Sequence, residues 1–181
     1  MIESSKAGIP NYFNLEHINY FSKDSLDTLM AEFGLKSIDE KWVGEDLMKV
    51  YKNIGEGCFI KKDEHTKIAV SNYIKKRQKK RIEINSQIEY LLEKKQDLII
   101  WGTGSLVMNL FAVTSLKKCH IIAFVDNNRI KHGRKIFGYP IYSPEYIKDK
   151  KCTIVICSML YAENIKRQIE NMHTDNEIIV L

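Results

Sequence analysis

The sequence is short of the residues that punctuate or cross-link a chain. Its 181 residues include three prolines, nine glycines and four cysteines. So little Pro and Gly excludes collagen-like and low-complexity chains. The cysteines, Cys58, Cys119, Cys152 and Cys157, form no CxxC pair. That removes the usual signature of a disulfide framework or a zinc site, so neither a disulfide nor a metal is expected and the four read as reduced, small hydrophobes. Long apolar runs are also missing. The longest, such as Leu98 to Trp101 and Ile121 to Val125, are four or five residues, against the roughly 20 that a bilayer span requires. Residues 1–25 carry Glu3, Lys6, Glu16 and Lys23 but no apolar segment of a secretory signal. A cytoplasmic protein with no membrane partner is the expectation.

What is present is enough apolar material for a core: 44% hydrophobic residues beside 28% charged ones. The formal net charge of +5 owes most to Lys75-Lys76-Arg77-Gln78-Lys79-Lys80-Arg81. This run leads into Ile84, Ile88, Leu91 and Leu92, a helical spacing, and lacks the interleaved aromatics of a nucleic-acid surface. It predicts a solvated helix face, and no nucleic-acid partner.

The pattern divides the chain into three parts, residues 1–67, 68–96 and 97–181. Ser22 can cap a helix whose first turn holds Asp24 and whose apolar face is Leu26, Leu29, Met30 and Phe33, with Gly34 as its left-handed stop. An imperfect alternation from Leu35 to Trp42 predicts a strand, and residues 44–68 show no clean period and read as loop with some strand. From Ile68 to Lys95 no Gly or Pro interrupts a long polar helix, expected to link two units. Beyond it, Leu98–Trp101, His120–Val125, Thr153–Cys157 and Ile178–Leu181 are continuous apolar runs suited to strands buried on both faces. Helical stretches are expected between them at Leu106–Leu116, Ser143–Asp149 and Ala162–Met172. Strand and helix alternate, which predicts a Rossmann-like parallel sheet with flanking helices and right-handed crossovers.

The first of these strands runs into Gly102-Thr103-Gly104-Ser105 and then a helix, the position at which open α/β sheets bind anions. The third glycine of a dinucleotide fingerprint would fall at Val107, whose branched side chain argues against NAD. Asp126 ends the next strand, where a carboxylate can take a ribose hydroxyl pair, and Asn127 and Asn128 follow. The same residues also suit a tight strand–helix turn and ordinary turn chemistry. Gly138-Tyr139-Pro140-Ile141 and Ser143-Pro144-Glu145 read as a turn, a short extended piece and a helix start capped by Ser143 with Pro144 at its first position.

Trp101-Gly102-Thr103-Gly104-Ser105, Phe124-Val125-Asp126-Asn127-Asn128, Gly133, Gly138-Tyr139-Pro140-Ile141 and Ser143-Pro144-Glu145 together resemble the C-terminal Rossmann-like domain of sugar C-methyltransferases. Glu16-His17-Ile18-Asn19-Tyr20-Phe21-Ser22, Ser25-Leu26 and Phe33-Gly34-Leu35 look like the last helix and strand of a class I S-adenosylmethionine methyltransferase domain. The resemblance implies a partial α/β methyltransferase remnant ahead of the linking helix, and a C-terminal region of an enzyme acting on a sugar nucleotide or surface-polysaccharide precursor. It implies Glu16 and His17 as a catalytic pair, with His17 taking a proton beside a keto group and Glu16 orienting it. It implies Gly102, Thr103, Gly104, Ser105, Asp126 and Asn127 as binding residues for a nucleotide-sugar substrate. S-adenosylmethionine would serve the full-length parent, and no cofactor is expected to bind this chain alone, since no second glycine turn lies between Met1 and Lys95. The sequence is thus expected to be a fragment, not catalytic by itself, with homo-oligomerisation left open. The alternative is a stand-alone, non-catalytic module that binds nucleotide sugars or a protein partner.

Overall fold

The computed structural model describes residues 21–43, 46–57, 65–158 and 160–181. The chain divides into two compact units, Met1–Lys80 and Arg81–Leu181. In the first, helix α1 (Lys23–Glu32) begins with a reciprocal capping box. The Ser22 hydroxyl accepts from the Ser25 N–H, and the Ser25 side chain bonds back to the Ser22 N–H. Gly34, at φ +69°, ends it, as the sequence predicts. Strand β1 (Leu35–Val43) pairs antiparallel with β2 (Asp46–Asn53). The second strand lies within the stretch expected to be loop with some strand, and the hairpin explains why no period shows. One face carries Leu47, Lys49 and Tyr51, and the other Met48, Val50 and Lys52, so both mix apolar with polar residues. The Asp27 carboxylate of α1 anchors the inner face, accepting from Lys49 Nζ at 2.6 Å and from the Tyr51 hydroxyl at 2.8 Å.

Helix α2 spans His65–Lys94, and the boundary between the units falls inside it. The second unit is a Rossmann-like α/β fold. Its strands are β3 (Leu98–Trp101), β4 (Ile121–Val125), β5 (Lys135–Ile136), β6 (Tyr139–Tyr142), β7 (Thr153–Ile156) and β8 (Glu177–Val180). They are ordered β5-β6-β4-β3-β7-β8, all parallel except the β5–β6 hairpin. The four expected continuous apolar runs are β3, β4, β7 and β8, and the structure shows why they are continuous. On one face Leu98, Ile100, Phe124 and Val155 pack with Ile84, Ile88 and Leu91 of α2 and with Leu106, Val107 and Leu110 of helix α3 (Ser105–Val113). On the other Ile99, Trp101, Ala123, Val125, Ile154 and Ile156 pack with Ile165 and Ile169 of helix α4 (Ala162–Asn171). With both faces covered, the central strands β3, β4 and β7 need apolar side chains at every position but Thr153, whose hydroxyl bonds to Gln96 and Glu177.

Two expected helices differ. The one from Leu106 to Leu116 stops at Val113, because the Thr114 hydroxyl takes the Leu110 carbonyl at 2.6 Å and then accepts from the Leu116 N–H. A separate 3₁₀ turn follows at Leu116–Lys118. The segment from Ser143 to Asp149 is only a 3₁₀ turn, Pro144–Ile147, with Pro144 at its start but no side-chain cap bond from Ser143. The predicted extended piece at Tyr139–Ile141 is β6, and the turn before it is Phe137-Gly138, both at positive φ. The Phe137 ring stacks on Phe111 at 4.0 Å between centroids, which holds that strained residue in place.

The amino-terminal end of the sheet is stitched by hydrogen bonds. Thr153 N–H donates to the Asp97 carbonyl and Leu98 N–H to that of His120. The Asn176 side chain accepts from Cys152 N–H and donates to the Ile147 carbonyl. Cys119 and Cys157 are buried as expected and Cys152 is half-buried, whereas Cys58 lies outside the described residues. Among the described residues no helix is long and apolar enough to cross a membrane.

Candidate nucleotide site

Strand order reverses at β3: the chain moves from β3 out to β4 and β6, then returns to the other side for β7 and β8. The loops after β3 and β7 therefore diverge and leave a crevice at the carboxyl end of the sheet, the general ligand position of such folds. A cavity of about 490 Å³ lies there, with Trp101 as floor and the Gly102–Ser105 turn, Asp126, Lys131, Ser158 and Tyr161 among its walls. That volume falls within the range of small-molecule sites.

Each wall has a local cause. Gly102 sits at φ +112°, and a Cβ there would lie 2.7 Å from the Cys157 carbonyl oxygen, so only glycine lets the β3 turn pass this close to the end of β7. Gly104 has ordinary backbone geometry, with nothing within 4 Å of a Cβ. It stands at the amino terminus of α3 without a side-chain cap. The first N–H groups of a helix have no carbonyl one turn back and carry the positive end of its dipole, so this end of α3 faces the cavity as an anion acceptor. Val107 is fully buried in the helix–sheet core, where the dinucleotide fingerprint would have a third glycine.

Asp126 follows β4 and its carboxylate is the most heavily bonded group of the site. Oδ2 accepts from the Thr103 N–H at 3.2 Å, from the Thr103 hydroxyl and from Lys131 Nζ at 2.9 Å, while Oδ1 accepts from the Asn128 N–H at 2.8 Å. Burial opposes its charge, but these bonds outweigh burial and hold the carboxyl below its ordinary range. Lys131 reaches it because Asn128 caps a 3₁₀ turn, Arg129–Lys131, by accepting from the Ile130 N–H. The same ammonium donates to Thr103 Oγ1 at 2.9 Å. The Asn127 amide donates to Gln168 of α4 at 3.0 Å. On the far side Tyr161, about three-fifths exposed, starts α4 beside Ser158, whose hydroxyl accepts from its N–H. Burial pushes the Cys157 thiol up to about 12, so this wall residue is inert.

The structure thus gathers Gly102, Thr103, Gly104, Ser105, Asp126 and Asn127 around one cavity. It adds Lys131, Ser158 and Tyr161, which the sequence reading missed. Glu16 and His17 lie outside the described residues. Among the described residues no cluster of three His, Cys, Asp or Glu could hold a metal ion.

A family model described as C2185-like, N-terminal, matches residues 94–180. Among solved structures the chain is similar to UDP-D-quinovosamine 4-dehydrogenase from Vibrio fischeri, at 24% identity over 48% of this chain and 77% of that one, with a TM-score of 0.39. It is similar also to RSP, a Rex-family repressor, at 16% identity over 64% of this chain and 60% of that one, TM-score 0.38. The complex of RSP with β-NADH gives 14% identity over 64% of this chain and 69% of that one, TM-score 0.39. No curated protein matches the chain.

Proposed function

We propose that this cavity binds a nucleoside diphosphate or nucleotide sugar, and that the chain is the substrate-binding C-terminal region of an S-adenosylmethionine-dependent methyltransferase acting on a sugar nucleotide or surface-polysaccharide precursor. The observation that carries the binding half is one crevice in which the glycine turn, the uncapped start of α3 and the Lys131 ammonium converge. These are anion-binding groups, and the exposed Tyr161 and Leu160 at the rim supply apolar surface for a base or sugar ring. The methyltransferase half rests on the sequence resemblance. The cavity supports the binding half alone: among its described lining residues the one carboxylate, Asp126, accepts from Thr103, Asn128 and Lys131. No methyl-transfer step is therefore derived, and Glu16 and His17 keep their proposed role in the parent enzyme only.

Titration calorimetry and thermal shift with UDP and UDP-sugars test the binding. A saturating ligand at 100 times its dissociation constant adds about 2.7 kcal/mol, so a clear rise in melting temperature is expected. No heat and no shift at millimolar ligand would remove the proposal. A second reading, a stand-alone binding module, draws support from one feature: every wall of the cavity belongs to the Arg81–Leu181 unit. Saturable binding by residues 81–181 together with absent methyl transfer in the parent would favour it.

A further inference from the structure

Independently of the cavity, we infer that helix α2 lies on an anionic phospholipid surface, with its cations at the lipid headgroups and Ile68, Ile74 and Ile82 dipping into the interface. Tyr73 and Ile84 are buried, but between them every residue is exposed except the half-buried Lys80. This bare stretch holds Lys75, Lys76, Arg77, Lys79, Lys80 and Arg81. No Asp or Glu stands between Glu64 and Glu83. Among the described residues no carboxylate is ion-paired with any of the six cations. A helix that is polar all round ordinarily relies on opposite charges three or four residues apart. Here Lys75 and Lys79, Lys76 and Lys80, and Arg77 and Arg81 are like charges four residues apart, and each such pair destabilises the helix. An anionic surface laid along the helix supplies the missing countercharge.

The apolar residues decide what kind of surface it is. Ile68, Ile74 and Ile82 are 60%, 47% and 67% exposed. At 3.6 residues per turn they fall within about 120° of the helix circumference. Lys67 and Lys75 lie in the same arc, away from the side that carries Tyr73, Ile84 and Leu91. A helix side that mixes exposed basic and apolar residues in this way suits the plane of a bilayer interface. The isoleucines enter the boundary between headgroups and acyl chains, and the lysine stems reach back so that their ammonium groups meet lipid phosphates. A phosphodiester chain would neutralise the same cations but leave the isoleucines in water. The sequence-based expectation of no membrane partner rests on missing apolar spans, and a surface contact needs none.

The test sediments the whole chain with phosphatidylcholine vesicles, with or without about one-third phosphatidylglycerol, at about 0.15 M salt. The anionic vesicles should carry the chain down and the neutral ones should not. One Lys or Arg near such a membrane is worth about five-fold in affinity. Lys75→Gln, Lys76→Gln and Lys79→Gln together should therefore weaken binding about 100-fold. Ile68→Ser, Ile74→Ser and Ile82→Ser together should weaken it about ten-fold or more at unchanged charge. All six positions are exposed, so both variants should keep the wild-type melting profile; if a triple variant melts early, the single changes Lys75→Gln and Ile82→Ser read the same two contributions. No sedimentation of the wild type with anionic vesicles, equal sedimentation with neutral ones, or unchanged affinity in either variant overturns the inference. So does tighter binding of duplex DNA than of anionic vesicles at matched phosphate concentration, which would make the partner a phosphodiester chain. None of these results bears on ligand binding in the cavity.

Discussion

Replacing Gly102 by alanine tests the close approach on which the cavity floor depends. Two penalties apply. A non-glycine residue at φ +112° costs about 1–3 kcal/mol. The added Cβ would also stand 2.7 Å from the Cys157 carbonyl oxygen, well inside the roughly 3.3–3.6 Å of an ordinary C···O contact, and relieving such a clash in a packed interior costs about 1–3 kcal/mol more. The backbone has little room to yield. Gly102 N–H is bonded to the Val125 carbonyl and Cys157 N–H to that of Trp101, both at 2.9 Å, so any shift breaks a sheet bond. The sum, about 2–6 kcal/mol, should lower the melting temperature of a unit of this size by about 10 °C or more. Gly104→Ala is the control. With no neighbour within 4 Å, it should cost less than about 1 kcal/mol, the scale of a helix-cap change. Thermal and urea unfolding followed by Trp101 fluorescence in a Trp42→Phe background isolates the second unit. If Gly102→Ala melts within about 3 °C of the wild type, or below the stability of Gly104→Ala by no measurable margin, the argument from close approach is wrong.

Two further outcomes follow from the titrating groups. With its thiol pushed to about 12, Cys157 holds about one thiolate in ten thousand at pH 8, so iodoacetamide should leave it unlabelled in the native chain and modify it in urea; prompt native labelling, read by peptide mass spectrometry, would contradict its burial. The Asp126 carboxyl lies below its ordinary value, so the unfolded chain takes up that proton first on acidification and the stabilisation is present above the unfolded value, about 3.9, and lost as pH falls towards the folded one. Asp126→Asn should therefore cost about 1–3 kcal/mol at pH 7 and progressively less below about pH 4 in urea titrations; a constant difference from pH 7 to pH 3 would show that the charge carries none of it.

The sheet of the second unit was legible because its central strands are covered on both faces, so Leu98–Trp101 and Ile154–Ile156 are buried at every position and leave an unbroken apolar signal. The hairpin strand Asp46–Asn53 carried no such signal. Met48 and Val50 are more than half exposed on its outer face, so hydrophobicity does not alternate with burial. At the site, the glycine turn and Asp126 were readable because both directly follow apolar strands. Lys131 was not, since it lies five residues beyond Asp126 and returns to it only through the 3₁₀ turn that Asn128 caps, a spacing with no recognised pattern. Ser158 and Tyr161 were equally silent, because nothing local announces that β7 ends beside β3.

The hydrogen-bonded seams at the amino-terminal edge of the sheet give the cavity a property of a different kind. Hydrogen bonds of Asp97, His120, Cys152 and Asn176 tie the strands together there, while the side chains that line the cavity sit on loops at the opposite edge. The two sets share no residue, so substitutions at positions such as Asn127, Ser158 or Tyr161 change the cavity wall while leaving the stitched edge in place. Such a layout leaves the cavity edge open to drift and to redesign, and confines most of the intolerance to change to strands, glycine turn and stitched edge.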